Sequence, residues 1–143
     1  MKKEARLRYN TNLAAEFWVL AALHRRGVDA HLMLGNKKSV DILVFRGYQD
    51  MLTVDVKGLA DKYDWPADNI EVLDNPNHFY ILLSFEGSIS DPLASPSVWI
   101  IPSDQLEPFK KQYTTRAVVA RALVKANAGR FRNAWHQLAA STP

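Results

Sequence analysis

The chain has 143 residues, of which 48% are hydrophobic and 23% charged, and its net charge is +3. We expect one globular domain over residues 1–143, mildly basic, so that a polyanionic partner is compatible but not required. The absence of cysteine excludes disulfides, thiol catalysis and cysteine–zinc sites.

The first third of the chain predicts a helix followed by three closely spaced strands. The helix covers 12–26, with Asn10 or Thr11 as its cap and Gly27 as its stop. Turns at 35–38 and 46–50 separate the three strands, which cover 28–34, 39–45 and 51–57. This order predicts an α/β fold in which the helix packs on one face of a sheet.

The rest of the chain predicts two buried strands and three helices. Residues 58–77 have the composition of a loop, with a short strand near 70–73. The almost continuously apolar run 78–85 is typical of a central strand covered on both faces, and 98–101 is a second buried strand. Ser103 caps the first predicted helix, and the three helices cover 104–112, 116–126 and 131–140.

The hexapeptide TVDVKG at 53–58 places an acid and a lysine together. Residues two apart in a strand share a face, so Asp55 and Lys57 lie side by side, while Val54 and Val56 face the core. About one acid-x-Lys triplet is expected by chance in a chain of this composition. The pair is therefore either a solvated ion pair or part of a chemical site, and the hexapeptide alone does not decide.

Two further carboxylates are predicted to lie close to Asp55. Pairing of the second and third strands as a hairpin puts Asp41 roughly opposite Asp55, and opposed like charges destabilise a sheet unless a proton, a lysine or a cation lies between them. Glu16 falls within the apolar stripe of the helix, which comprises Leu13, Phe17, Leu20 and Leu23. A buried charge there is costly unless it is paired, for example with Lys57, or binds a cation. The alternative is that Glu16 lies at the edge of the stripe and extends its carboxylate to solvent.

These residues resemble the PD-(D/E)XK nuclease superfamily, which includes small Holliday junction resolvases and has the restriction-endonuclease-like fold. The resemblance is carried by AAEFWVLAALHRRG, SVDILVF and TVDVKG, with HFYILLSFEG and VWIIPSDQL similar to the fourth and fifth strands, and it covers about residues 10–107. Two positions depart from the family pattern: Val40 precedes Asp41 where the family has proline, and Asp55 stands where glutamate is more common.

The resemblance implies a central mixed five-stranded sheet flanked by helices, and hydrolysis of DNA phosphodiester bonds with Mg²⁺, or with Mn²⁺ as a substitute. Asp41, Asp55 and the carbonyl of Val56 would hold the metal, and Glu16 would complete the site directly or through water. Lys57 would orient and help to deprotonate the attacking water, or would stabilise charge on the phosphate.

Basic residues elsewhere are the predicted contacts to DNA phosphates. From residue 110 to the end there are seven basic residues and no acidic one. Trp65, in a loop after the predicted active strand, is the aromatic residue best placed by the sequence to touch DNA. The predicted basic contacts are Lys37, Lys38, Lys110, Lys111 and Arg116.

Other classes of function have weaker support. The four histidines have no metal-binding spacing, and without a phosphate-binding loop no nucleotide cofactor is expected. No membrane segment or signal peptide is apparent, so the cytoplasm is the simplest location. A homodimer is plausible by analogy alone. The alternatives to an active nuclease are a weak or inactive nuclease-fold module that binds nucleic acid or a protein partner, and an unrelated α/β domain.

Overall fold

The computed structural model describes residues 2–34, 40–71 and 73–140, and the side chains from residue 7 onward. Its two α-helices are α1 (Lys2–Arg25) and α2 (Arg121–Asn127). The eight strands are β1 (Asp29–Leu32), β2 (Ile42–Gly47), β3 (Asp50–Leu59), β4 (Trp65–Pro66), β5 (His78–Ser84), β6 (Ser97–Pro102), β7 (Lys110–Gln112) and β8 (Ala117–Val119). Short 3-10 turns cover Ser103–Gln105, Glu107–Phe109, Gly129–Phe131 and Trp135–Leu138.

The main sheet is mixed and has five strands in the order β1-β2-β3-β5-β6. β3 and β5 are parallel, and the other neighbours are antiparallel. A smaller sheet has the order β4-β8-β7. The predicted α/β fold with a mixed five-stranded sheet is therefore confirmed.

The helix α1 begins earlier than the sequence predicted but ends where it predicted. It starts at Lys2, and Thr11 is not its cap, because the Thr11 hydroxyl donates to the Leu7 carbonyl at 2.8 Å within the helix. At the other end Gly27 has φ +74°, and the Val28 amide donates back to the Leu23 carbonyl at 3.0 Å. A left-handed glycine with this hydrogen bond is a common helix ending. The described part of the chain contains no helix with the length and apolar character needed to cross a membrane.

Both faces of the main sheet are covered, and so β5 is buried at every position. On one face Phe79, Ile81 and Leu83 pack in a core with α1. On the other face Tyr80 and Leu82 pack in a second core, to which β4, β8, α2 and the 3-10 turns contribute. The prediction of a central strand covered on both sides is confirmed.

The apolar stripe predicted for α1 needs a correction. Leu23 is buried and Leu20 packs against the core, as predicted, but Phe17 is 52% exposed. Ala15, Val19 and Ala22 enter the core beside Leu23. Small residues allow the helix to approach the sheet closely. The buried face of α1 is therefore turned around the helix axis from the face that the large apolar side chains predicted.

The C-terminal helices are predicted incorrectly. Residues 104–112 form two 3-10 turns and β7, because Pro108 lacks the amide that a helix interior requires. Residues 116–126 begin with β8, where adjacent Val118 and Val119 favour a strand, and only then enter α2. The last predicted helix is reduced to 3-10 turns around Asn133, which has φ +52°. Ile70 lies outside any strand, and residue 72 of that predicted strand lies outside the described residues.

Candidate active site

The candidate site lies where β3 continues past its neighbour β2. Pairing with β2 begins at Ile42, which lies opposite Val54, whereas β3 runs on to Leu59. Residues 55–59 pair with β5 on one side, and no described strand pairs with them on the other. We call this open side the β3 edge.

Asp41 lies at the end of the β3 edge that is nearest to β2. It directly precedes β2, whose first pair with β3 is Ile42 with Val54, and its amide donates to the Val54 carbonyl at 3.0 Å. Its predicted position opposite Asp55 stays a prediction. One oxygen of its carboxylate, Oδ2, accepts a hydrogen bond from the Val56 amide at 2.7 Å. The amide and carbonyl of one strand residue point toward the same neighbouring strand. The Val56 carbonyl therefore faces the same side as Asp41.

Asp55 and Lys57 share one face of β3, as predicted. Val54 and Val56 are buried in the core with α1, so Asp55 and Lys57 point to the opposite face. The Lys57 ammonium donates to the Asn69 side-chain oxygen at 3.1 Å. A cavity of about 110 Å³ opens beside this ammonium, lined by Asn12, Lys57, Gly58, Trp65, Pro66 and Asn69.

Glu16 lies on α1 where this helix crosses β3. It is only 6% exposed, in agreement with the prediction that it is buried. A Cβ atom placed on Gly58 would lie 2.7 Å from the Cβ of the neighbouring Ala15, so the helix and strand are in close contact here. Among the described residues, no group of three or more histidines and acids forms a ready-made metal cage. The meeting of Glu16 with Asp41 and Asp55 remains a prediction.

His78 is a residue that the sequence analysis missed. It is 3% exposed at the start of β5, opposite Thr53 of β3. Its Nδ1 lies 2.6 Å from the Thr53 hydroxyl, and its Nε2 lies 3.3 Å from Asp55 Oδ2. Histidine spacing along the chain could not reveal this contact, because it depends on the parallel pairing of β3 with β5. The available signal was a histidine at the start of an otherwise apolar strand, because a buried polar side chain requires a partner.

The residues predicted to bind DNA have different environments. Lys37 and Lys38 lie outside the described residues. Lys111 and Arg116 are exposed, on β7 and in the turn that follows it. Lys110 is 20% exposed and lies 3.8 Å from Glu107.

Trp65 is not placed to stack on a base in this structure. Its side chain is fully buried, and its Nε1 donates to the Leu83 carbonyl at 3.2 Å. It also packs edge-on against Trp99, with ring centroids 5.9 Å apart. The sequence placed Trp65 in a loop because of the flanking proline and aspartates, whereas it is the first residue of β4 and belongs to the second core.

Comparisons with known proteins bear on the fold. No protein-family model matches the chain, and no curated protein matches it either. Among solved structures, the chain is similar to that of the bacterial homing endonuclease I-Ssp6803I, with a TM-score of 0.50 and 18% sequence identity. The match covers 88% of this chain and 86% of that one. The α/β fold described above is therefore similar to the fold of that endonuclease.

Proposed function

We propose that this protein is a metal-dependent endonuclease of the PD-(D/E)XK type, which hydrolyses DNA phosphodiester bonds at the β3 edge. The observation that carries the proposal is the hydrogen bond from the Val56 amide to the Asp41 carboxylate at 2.7 Å, which holds this carboxylate against β3. Asp55 is the neighbouring residue of that strand, and we expect the two carboxylates and the Val56 carbonyl to share the open edge. A homing endonuclease with a similar fold supports DNA as the substrate.

The oxygen atoms at this edge match the ligands that Mg²⁺ prefers. Asp41, Asp55 and the Val56 carbonyl would hold the ion, with Mn²⁺ as a substitute, and Glu16 would complete the site directly or through water. When bound, the ion supplies a Lewis acid and lowers the pKa of its water. A cation between Asp41 and Asp55 would also relieve the repulsion of their opposed charges.

Lys57 would act on the attacking water or on the phosphate. Its ammonium is held at 3.1 Å by Asn69, beside the cavity that opens at the β3 edge. From there it would orient the water and help to remove its proton, or stabilise negative charge on the phosphoryl group. The acids alone would repel DNA, and so the exposed Lys111 and Arg116, with Lys37 and Lys38, would supply phosphate contacts.

The test is cleavage of duplex and branched DNA in Mg²⁺ or Mn²⁺. We expect Asp55→Ala and Lys57→Ala to reduce cutting by about a hundredfold or more, with the fold intact by circular dichroism. Asp29→Ala is the matched control, because Asp29 is an exposed carboxylate at the far end of the β1–β2 pair and should leave cutting unchanged.

The outcome also separates the alternative function. An Asp55→Ala variant that cuts as well as the parent protein contradicts the proposal. Metal-independent DNA binding with a strong salt dependence, without cleavage by the parent protein, instead supports a nuclease-fold module that only binds nucleic acid.

A further inference from the structure

A buried histidine lies beside the proposed metal-binding carboxylate. His78 approaches Asp55 from the neighbouring parallel strand, and its ring packs edge-on against Tyr80 with centroids 4.9 Å apart. Its Nε2 is completely buried and makes no hydrogen bond in the described structure. The 3.3 Å separation from Asp55 Oδ2 is within ion-pair range but lacks hydrogen-bond geometry. A small turn of the carboxylate would satisfy both groups.

The environment of the ring selects one tautomer. Nδ1 lies 2.6 Å from the Thr53 hydroxyl, which can either donate or accept. If the neutral ring carried its proton on Nδ1, the Nε2 lone pair would face the Asp55 carboxylate and repel it. With the Thr53 hydroxyl donating to Nδ1, the proton lies on Nε2 and faces Asp55 Oδ2. The second arrangement satisfies the buried donor, and burial makes the first costly.

We propose that His78, anchored by Thr53, is a positioning residue that holds the Asp55 carboxylate at the β3 edge. The inference rests on the proposed function in taking Asp55 as a metal ligand. A metal-binding carboxylate loses orientational freedom when a neighbouring side chain that does not itself contact the metal forms a hydrogen bond with it. Loss of such a hydrogen-bonding partner typically weakens metal affinity by about 10–100-fold. Because β3 and β5 are hydrogen-bonded neighbours, the backbone positions of His78 and Asp55 are fixed relative to each other, and Thr53 anchors the ring at 2.6 Å.

The first readout does not depend on metal or on DNA cleavage. In ¹⁵N-labelled protein at mildly alkaline pH, we expect the two-bond spectrum of the His78 ring to show the proton on Nε2. Asp55→Asn should shift this nitrogen signal, whereas Asp29→Asn should shift the signals of His31, its partner at 2.7 Å, and leave those of His78 in place. A neutral ring protonated on Nδ1, or one that does not respond to Asp55→Asn, overturns the inference.

The second readout is the affinity for Mn²⁺, measured by calorimetry on the full chain. His78→Leu should weaken binding about 10–100-fold, whereas His78→Gln, whose amide can donate to Asp55 in place of Nε2, should remain within a few-fold of the parent. Thr53→Val, which removes the anchor of the ring, should fall between them. His136→Leu, at an exposed histidine on the last 3-10 turn, is the control and should have no effect.

A structural role alone would give a different result. If His78→Leu lowers the melting temperature of the metal-free protein but leaves Mn²⁺ affinity unchanged, the inference is wrong. If the parent protein binds no Mn²⁺ yet shows the Nε2 proton and its response to Asp55→Asn, the His78–Asp55 contact stands and the proposed metal site is contradicted. The two proposals therefore fail separately.

Discussion

At the scale of single residues, the proposed pairing of Asp41 with Asp55 has a consequence for stability. If the two carboxylates oppose each other across β2 and β3, their like charges weaken the sheet by up to about 1 kcal/mol. Asp55→Asn removes one charge but keeps an acceptor for His78. Without metal, we therefore expect the variant to melt at a higher temperature than the parent. Addition of Mg²⁺ should raise the melting temperature of the parent more than that of the variant.

Thermal melting in a chelator and then in Mg²⁺ tests this prediction. Asp29→Asn provides the comparison, because Asp29 lies opposite Phe45 and not opposite another acid. An Asp55→Asn variant that melts lower than the parent in the chelator contradicts the idea that the two carboxylates repel each other.

Glu86 is a residue whose charge stabilises the fold away from the candidate site. Its carboxylate receives a hydrogen bond from Arg121 and lies 3.4 Å from the Lys125 ammonium, which ties the end of β5 to α2. Burial raises the pKa of this carboxyl, but the hydrogen bond and charge of Arg121 and the charge of Lys125 outweigh burial. The pKa therefore lies below its ordinary value of 4.5.

This shift predicts a pH-dependent contribution to stability. Because the folded pKa of Glu86 is below the unfolded one, the contribution is complete above the ordinary value and is lost as the pH falls through the folded value. We expect Glu86→Gln to lower the free energy of unfolding by about 1–3 kcal/mol at neutral pH. The difference from the parent should shrink below pH 4.5.

Urea denaturation at a series of pH values measures this difference. Glu107→Gln is the control, because Glu107 is 70% exposed and its contact with Lys110 at 3.8 Å is a surface pair. A difference between Glu86→Gln and the parent that stays constant into acid would contradict the assigned charge interaction.

At the scale of elements, the contact between α1 and β3 sets the position of Glu16. Gly58 makes this approach possible, because a Cβ there would lie 2.7 Å from Ala15 Cβ and 3.2 Å from the Thr11 carbonyl oxygen. We expect Gly58→Ala to lower the free energy of unfolding by about 1–3 kcal/mol through this overlap. The helix must move away from β3, so DNA cleavage should fall as well.

Chemical denaturation and a cleavage assay on the same samples check both effects. Gly47→Ala is a suitable control, since a Cβ at Gly47 would meet nothing within 4 Å. If Gly58→Ala is as stable as Gly47→Ala, the predicted overlap between a Cβ at position 58 and α1 is contradicted.

At the scale of the whole molecule, the basic residues of the segment 110–143 do not form one uniform surface. Arg121 and Lys125 pair with Glu86 and hold α2 against the sheet. Lys111 and Arg116 are exposed and remain proposed contacts to DNA. The composition does not distinguish these cations, whereas the fold places some in structural ion pairs and leaves others exposed. A cation next to an acid of another element is already partly neutralised, so it is less available to bind a phosphate.

The hairpin of the main sheet could be predicted because its signals are local. Alternation of apolar residues identified β2 and β3, and the short turn between them fixed their register from Ile42, opposite Val54, onward. The apolar run at 78–85 identified β5. In contrast, the C-terminal 3-10 turns and β8 were predicted as helices, because their conformation depends on packing against the two cores: Trp135 and Leu138 enter the core with α1, and Phe109, Val119 and Phe131 enter the second core.

The sequence by itself determined the hairpin of β2 and β3, the burial of β5 and the shared face of Asp55 and Lys57. Each of these follows from residue types and spacings within one strand or one hairpin. Only the tertiary structure decided that His78 lies against Asp55, that Trp65 is buried and that α1 turns its small residues to the sheet. These contacts join segments far apart in the chain, and their geometry depends on the parallel pairing of β3 with β5 and on the packing of both sheet faces, which no local pattern encodes.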